Sequence, residues 1–204
     1  MRRRFSLLAL LLLLSLLPLS LLSCRRATAE EVLPAARALV ERSLLINDIF
    51  IGEGAPRGDG GFEGYDTVSE EWTEKTGITS VAALRAEAEA VYTAEVCDIL
   101  YRKALKNDHE TLADYRDRPS PGHGLLILSE REGWYRDVVL EYLYDTMQLT
   151  ASAADTATVT LTVLVGHEGE ERQERTLTLP LVRQEDGTWR CDKLTYVAPL
   201  PLID

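Results

Sequence analysis

Hydrophobic residues follow three regimes along the chain. Phe5–Leu22 is continuously apolar save for serines and Pro18, with Met1-Arg2-Arg3-Arg4 before it and Leu21-Leu22-Ser23-Cys24 at its end. From Val32 to Phe50 the spacing turns helical, with Val32, Ala36, Leu39, Val40, Ile46, Ile49 and Phe50 along one face. This predicts a helix that ends at Gly52, with Glu30 and Glu31 at the favourable end of its dipole and Pro34 in its first turn. A second helix is expected over Val81–Leu105, capped by Ser80, with Val81, Leu84, Ala88, Val91, Tyr92, Val96, Ile99 and Leu100 turned inward.

Between these helices, Gly52–Gly64 holds six glycines and Pro56, and reads as a connecting loop. Tyr65–Ile78 suggests a short hairpin around Trp72, and Asn107–Gly122 a polar loop. Beyond it the period changes to two. Leu125–Leu128 and Trp134–Arg136 flank the turn Glu130-Arg131-Glu132-Gly133. Val138–Leu149, apolar on both faces, reads as a central strand. Thr156–Val165, Thr176–Arg183 and Thr188–Val197 follow, the last two joined across Glu185-Asp186-Gly187. The expected fold class is α+β: two N-terminal helices on one face of a curved, mainly antiparallel sheet of about six strands.

The first regime is a matter of export. A basic start, an apolar core and a small residue before a cleavage point are the parts of a secretory signal. Leu21-Leu22-Ser23-Cys24 matches the lipobox, in which the cysteine thiol takes diacylglycerol and becomes the new N-terminus. Residues 1–23 are therefore expected to be a lipoprotein signal peptide. Residues 24–31 would be the lipidated Cys24 with a short stem, and 32–204 a single domain. The expected location is the extracytoplasmic face of the cell membrane, where two acyl chains hold a protein stably.

Composition narrows the partners. Removing the three arginines of the leader takes the formal charge from −11 to −14. Nucleic-acid binding needs basic surface to displace counterions, and so does lying flat on anionic lipid; neither is expected. Cys97 and Cys191 remain after Cys24, an even pair in an exported chain, which leaves open a disulfide or two buried thiols.

Chemistry is sparse. His109, His123 and His167 stand in no metal-binding spacing, and the chain has neither Cys-x-x-Cys nor G-x-S-x-G. Asp108, His109 and Glu110 read as a solvated helix end. No catalytic residue, metal or cofactor is expected. Two candidate binding surfaces remain: Arg57, Asp59 and Phe62 on the glycine-rich loop, and Tyr142, Tyr144, Trp189 and Tyr196 on one side of the sheet.

Four segments carry a family resemblance: Ile46-Asn47-Asp48-Ile49-Phe50, Val91-Tyr92-Thr93-Ala94-Glu95, Tyr144-Asp145-Thr146-Met147 and Asp186-Gly187-Thr188-Trp189-Arg190-Cys191-Asp192. Their order resembles NTF2-like domains and the IseA-type inhibitors of cell-wall DL-endopeptidases. The resemblance implies a non-enzymatic protein that occupies the substrate cleft of a wall hydrolase. The lipobox departs from that family's freely secreted members. The alternative is an NTF2-like enzyme or small-ligand binder using a concave pocket.

Replacing Cys24 by Ala is expected to abolish incorporation of an alkyne fatty acid and to release or stall the precursor. Label retained by Cys24→Ala would remove the lipoprotein reading.

Overall fold

The first helix begins where a side chain reaches back to the backbone. In the computed structural model, which describes residues 26–105, 113–119, 124–131 and 138–198, the Thr28 N–H donates to Glu31 Oε2 at 3.0 Å. This contact closes the first turn of α1 (Ala29–Phe50). All seven residues expected on its inner face are buried. Because the helix starts at Ala29, Pro34 lies in its second turn, not its first, and offers no N–H to the preceding turn. Ala27 is buried as well, and its N–H donates to the Ala153 carbonyl at 2.9 Å. The expected stem over 24–31 is thus corrected: from Ala27 onward the chain belongs to the fold. The leader, Cys24 and Arg25 lie outside the described residues.

The chain is α+β, as expected, but with four helices and two antiparallel sheets of four strands among the described residues, where two helices and one sheet were anticipated. The first sheet holds β1 (Arg57–Phe62), β2 (Tyr65–Val68), β3 (Tyr115–Asp117) and β4 (Leu125–Leu128), in the order β1-β2-β4-β3. The glycine-rich "loop" is therefore partly strand. Glu63 and Gly64 both have positive φ, 49° and 83°, the two-residue turn whose twist suits a hairpin. The register between β1 and β2 slips between Arg57 and Gly61, and Gly60 at φ 126° accommodates that bulge. The hairpin placed around Trp72 is instead α2 (Glu70–Thr76), ended by Gly77 in the left-handed region.

Ser80 does cap the next helix, its hydroxyl accepting from Ala83 N at 3.1 Å. That helix, α3 (Val81–Glu89), stops short, and α4 (Ala94–Ala104) starts afresh after Thr93. The intervening Val91-Tyr92-Thr93 runs beside Cys191 instead: Cys191 N–H donates to Val91 O at 2.8 Å and Thr93 N–H to Cys191 O at 3.0 Å. β-Branched and aromatic residues in succession favour this extended backbone. The pairing answers the edge that Cys191 would otherwise present.

The second sheet is a meander of β5 (Val138–Ser152), β6 (Thr156–His167), β7 (Gln173–Arg183) and β8 (Trp189–Cys191). Val159 and Leu161 of β6 face Leu179 and Leu177 of β7, all essentially inaccessible, while the threonines between them face outward. β5 lies at the edge and not in the centre. Its two apolar faces have a local cause. Leu140 and Tyr142 pair with the inward Val165 and Val163, but the register shifts between Leu143 and Gln148, after which Leu149 pairs with the inward Val159. The bulge changes which parity points at the core. β8 spans three residues, and the chain beyond Asp192 leaves the sheet where a strand to Val197 was expected.

That departing segment carries Thr195, fully buried between α1 and the sheet. Its hydroxyl lies 2.6 Å from Ser43 Oγ and 2.9 Å from Tyr92 OH, and accepts from Asn47 Nδ2 at 2.8 Å. Tyr92 OH also donates to Asn47 Oδ1, and Tyr142 OH to the Thr195 carbonyl at 3.0 Å. Burial pushes the Tyr92 phenol up to about 12. Thr195→Val keeps the shape and removes the shared hydroxyl. It is expected to cost about 1–3 kcal/mol, because buried partners lose their bonds, with the denaturant slope unchanged. Equilibrium unfolding of the two proteins checks this.

Candidate functional site

The first sheet is fastened to the end of α1 by one arginine. The Arg131 side chain is 2% exposed and pairs through Nε with Asp114 Oδ2 at 3.1 Å. It donates to the carbonyls of Gly52 at 2.9 Å and Ile49 at 3.0 Å. Tyr115 OH donates to the same Ile49 carbonyl and accepts from Ala55 N at 2.9 Å. These donors satisfy carbonyls that every helix C-terminus leaves open, and the cation suits the dipole there. Gly54 passes so close that a Cβ would stand 2.8 Å from both Arg131 Nη1 and Tyr115 OH. In sequence, Arg131 was part of a charged turn, and nothing in its neighbours marked it as buried.

From that anchor the β1–β2 hairpin projects. Arg57, expected to face a partner, stays exposed, but its guanidinium is engaged within the molecule. Its Nε pairs with Asp66 Oδ2 at 3.1 Å, and Nη2 donates to the Ser129 carbonyl at 3.2 Å. Asp66 in turn accepts from Ser129 Oγ at 2.9 Å. The other two expected residues are also at the surface. Asp59 lies on the bulge and borders a groove of about 570 Å³. Thr67, Leu125 and Leu126 line the same groove, together with Glu70, Glu71 and Arg118. Phe62, 36% exposed, stands at the hairpin tip. Register places Phe62, Tyr65, Thr67, Leu126 and Arg116 on one face of the sheet. There the Arg116 guanidinium sits 3.9 Å from the Tyr65 ring centroid and 5.4 Å from that of Phe62. It also donates to the Phe62 carbonyl at 3.0 Å. The tip is thereby stiffened by a cation–π stack. Sequence reading missed Arg116, Glu70 and Glu71, since only the fold brings them beside the hairpin.

The second expected surface is not formed as anticipated. Tyr142 is buried beneath α1 and bonded to Thr195. Tyr144 is partly buried with the Arg37 guanidinium 4.7 Å from its ring. Trp189 is buried, with Arg183 at 5.8 Å. Tyr196 borders a cavity. This is a cleft of about 190 Å³ shared with Asn47, Asp48, Gly52, Glu53, Val138 and Leu140. Burial raises the Asp48 carboxyl above its usual value, with the neighbouring Glu53 carboxylate adding to the rise.

Cys97 and Cys191 are free thiols, both buried, so the disulfide is not made in this structure. Burial pushes the Cys191 thiol up to about 12 and raises that of Cys97, the opposite of an activated nucleophile. Asp108, His109, Glu110, His123 and the Trp134–Arg136 strand lie outside the described residues. Among the described residues no group of His, Cys, Asp and Glu is arranged to hold a metal. Nor is any helix among them long and apolar enough to cross a membrane. No protein-family model matches the chain, and no curated protein does either.

The raised Asp48 carboxyl has a consequence for stability. The folded protein holds this proton more tightly than the unfolded chain, so stability falls as pH rises from the ordinary 3.8 through the higher folded value. Asp48→Asn is expected to remove that loss and to melt no lower than wild type at neutral pH. Thermal melts of both proteins across the acidic range check it; a variant that loses as much stability as wild type when pH rises through that range would contradict the assignment.

Proposed function

We propose that this chain is a membrane-tethered extracytoplasmic binding protein whose working surface is the groove and hairpin tip of the first sheet. The observation that carries this reading is the braced hairpin. Arg57 and Arg116 hold its two sides, leaving Phe62 and Asp59 presented on a backbone that is already ordered. An interface gains when its contacting loop needs little further ordering, and an aromatic anchor beside an arginine is the usual composition of an energetic centre. Asp59, Glu70 and Glu71 make one side of the groove acidic, which suits a partner with basic residues around its own cleft. The leader and Cys24 supply the tether in this reading.

The finer proposal is inhibition of a cell-wall hydrolase. Its support is the resemblance of four short segments to the IseA-type inhibitors and the helix-first chain closing on an antiparallel meander. An NTF2-like pocket is the weaker reading, because Tyr142 and Trp189 are covered and the cleft at Tyr196 has about 190 Å³. Ligand pockets commonly need about 300 Å³ or more.

The test is release of soluble fragments from peptidoglycan by envelope hydrolases, with and without residues 26–204. Inhibition by the wild-type fragment is expected. Phe62→Ala and Asp59→Lys should each weaken it about tenfold or more, equal to about 1.4 kcal/mol, with melting temperatures nearly unchanged. Undiminished hydrolysis at saturating fragment would sink the inhibitor reading, and full inhibition by both variants would remove the hairpin from it.

A further inference from the structure

We infer that the domain stands end-on to the bilayer, with the β5–β6 turn against the lipid headgroups and the first sheet held at the opposite end. The inference rests on the proposed lipidation of Cys24 and goes beyond it by assigning which surface meets the membrane.

The molecule has two parallel rulers that share both ends. At one end, Ala27 N–H bonds the Ala153 carbonyl just before α1 begins. Arg183 N–H bonds the Asp155 carbonyl there, bringing in the β7–β8 turn as well. At the other end, Asn47, Asp48 and Gly52 border the same cleft as Val138 and Leu140. Val138 pairs with His167, where the β6–β7 turn begins. The 22 residues of α1 cover about 33 Å at 1.5 Å each, and the 12 of β6 cover about 38 Å or slightly more.

The tether leaves almost no slack. From Cys24 to the pinned Ala27 the chain can extend at most about 11 Å. A lipid on Cys24 therefore brings the Ala153 turn to the headgroup layer. Whether the body then lies down is decided by charge. The far end carries Asp48, Glu53, Glu168, Glu170 and Glu171 against Arg172, which is paired with Glu141, and anionic headgroups repel that acidic balance. The near end is less acidic, with Arg26 and Arg183 beside Glu30, Asp155, Glu185 and Asp186, and it is the end the tether holds down. Repulsion acting on the distal acids within about 10 Å of the surface lifts that end away. The first sheet is bolted to the C-terminal end of α1 through Arg131 and Tyr115, so its groove is displayed on the side away from lipid.

The experiment uses the full-length, lipidated protein in vesicles of phosphatidylethanolamine and phosphatidylglycerol. Fluorophores are placed singly at Ala153→Cys or Glu170→Cys, both exposed turn positions. Cys97 and Cys191 are buried and stay unlabelled in the folded protein. With nitroxide-headgroup lipid in the vesicles, the Ala153 label should lose about half its emission or more, and the Glu170 label, more than about 30 Å further out, should be unchanged. Equal quenching of both labels, or of neither, would overturn the orientation. Vesicle flotation and the mass of the Cys24 peptide separate the two levels. An unlipidated, non-floating protein removes the tether and this inference together, whereas a lipidated, floating protein with a quenched Glu170 label removes only the orientation.

Discussion

A helix that ends inside a fold leaves backbone carbonyls that must find donors, and the arrangement of this chain follows from how that need is met at Ile49 and Gly52. Arg131, just past β4, donates to both oxygens, and Tyr115 of β3 donates to that of Ile49. Without them, buried acceptors would cost about 1–3 kcal/mol each, and the first sheet would lose its connection to the helix. Arg131 is itself a buried cation, which is tolerable because Asp114 and the carbonyls surround it. Everything further out, from Gly54 through the bulged hairpin to Phe62, takes its position from this junction.

The second sheet is fixed to the same helix by different means. Leucines and valines of β6 and β7 supply the apolar contact, which is strong but indifferent to direction. Direction comes from the hydroxyl and amide groups around Thr195, which fit only one seating of α1 on the sheet. One helix thus serves two sheets, with a polar cluster midway and a cationic clamp at its end.

How much of this could be read from the chain depended on whether the deciding contacts were local. The inner face of α1 was legible because seven apolar residues repeat at helical spacing, and Ser80 was legible as a cap because the bond it makes lies three residues away. The split between α3 and α4 was not, because Val91–Thr93 gains its pairing from Cys191, about a hundred positions later. β5 was misplaced because a bulge exchanges inward and outward parity, which imitates a strand buried on both sides. At the candidate site, Asp59 and Phe62 were visible as side chains on a glycine-rich stretch. The roles of Arg57, Arg116 and Arg131 were not, since each is set by carbonyls or rings brought up by folding.

The bulge in β1 also bears on how two copies of the chain can meet. An open strand edge invites sheet-to-sheet growth. β1 is such an edge. Its slipped register and the turned backbone at Gly60 interrupt the ladder of donors and acceptors that a second copy would need. The strand that carries Asp59 and Phe62 is thus poorly shaped to take up an added strand.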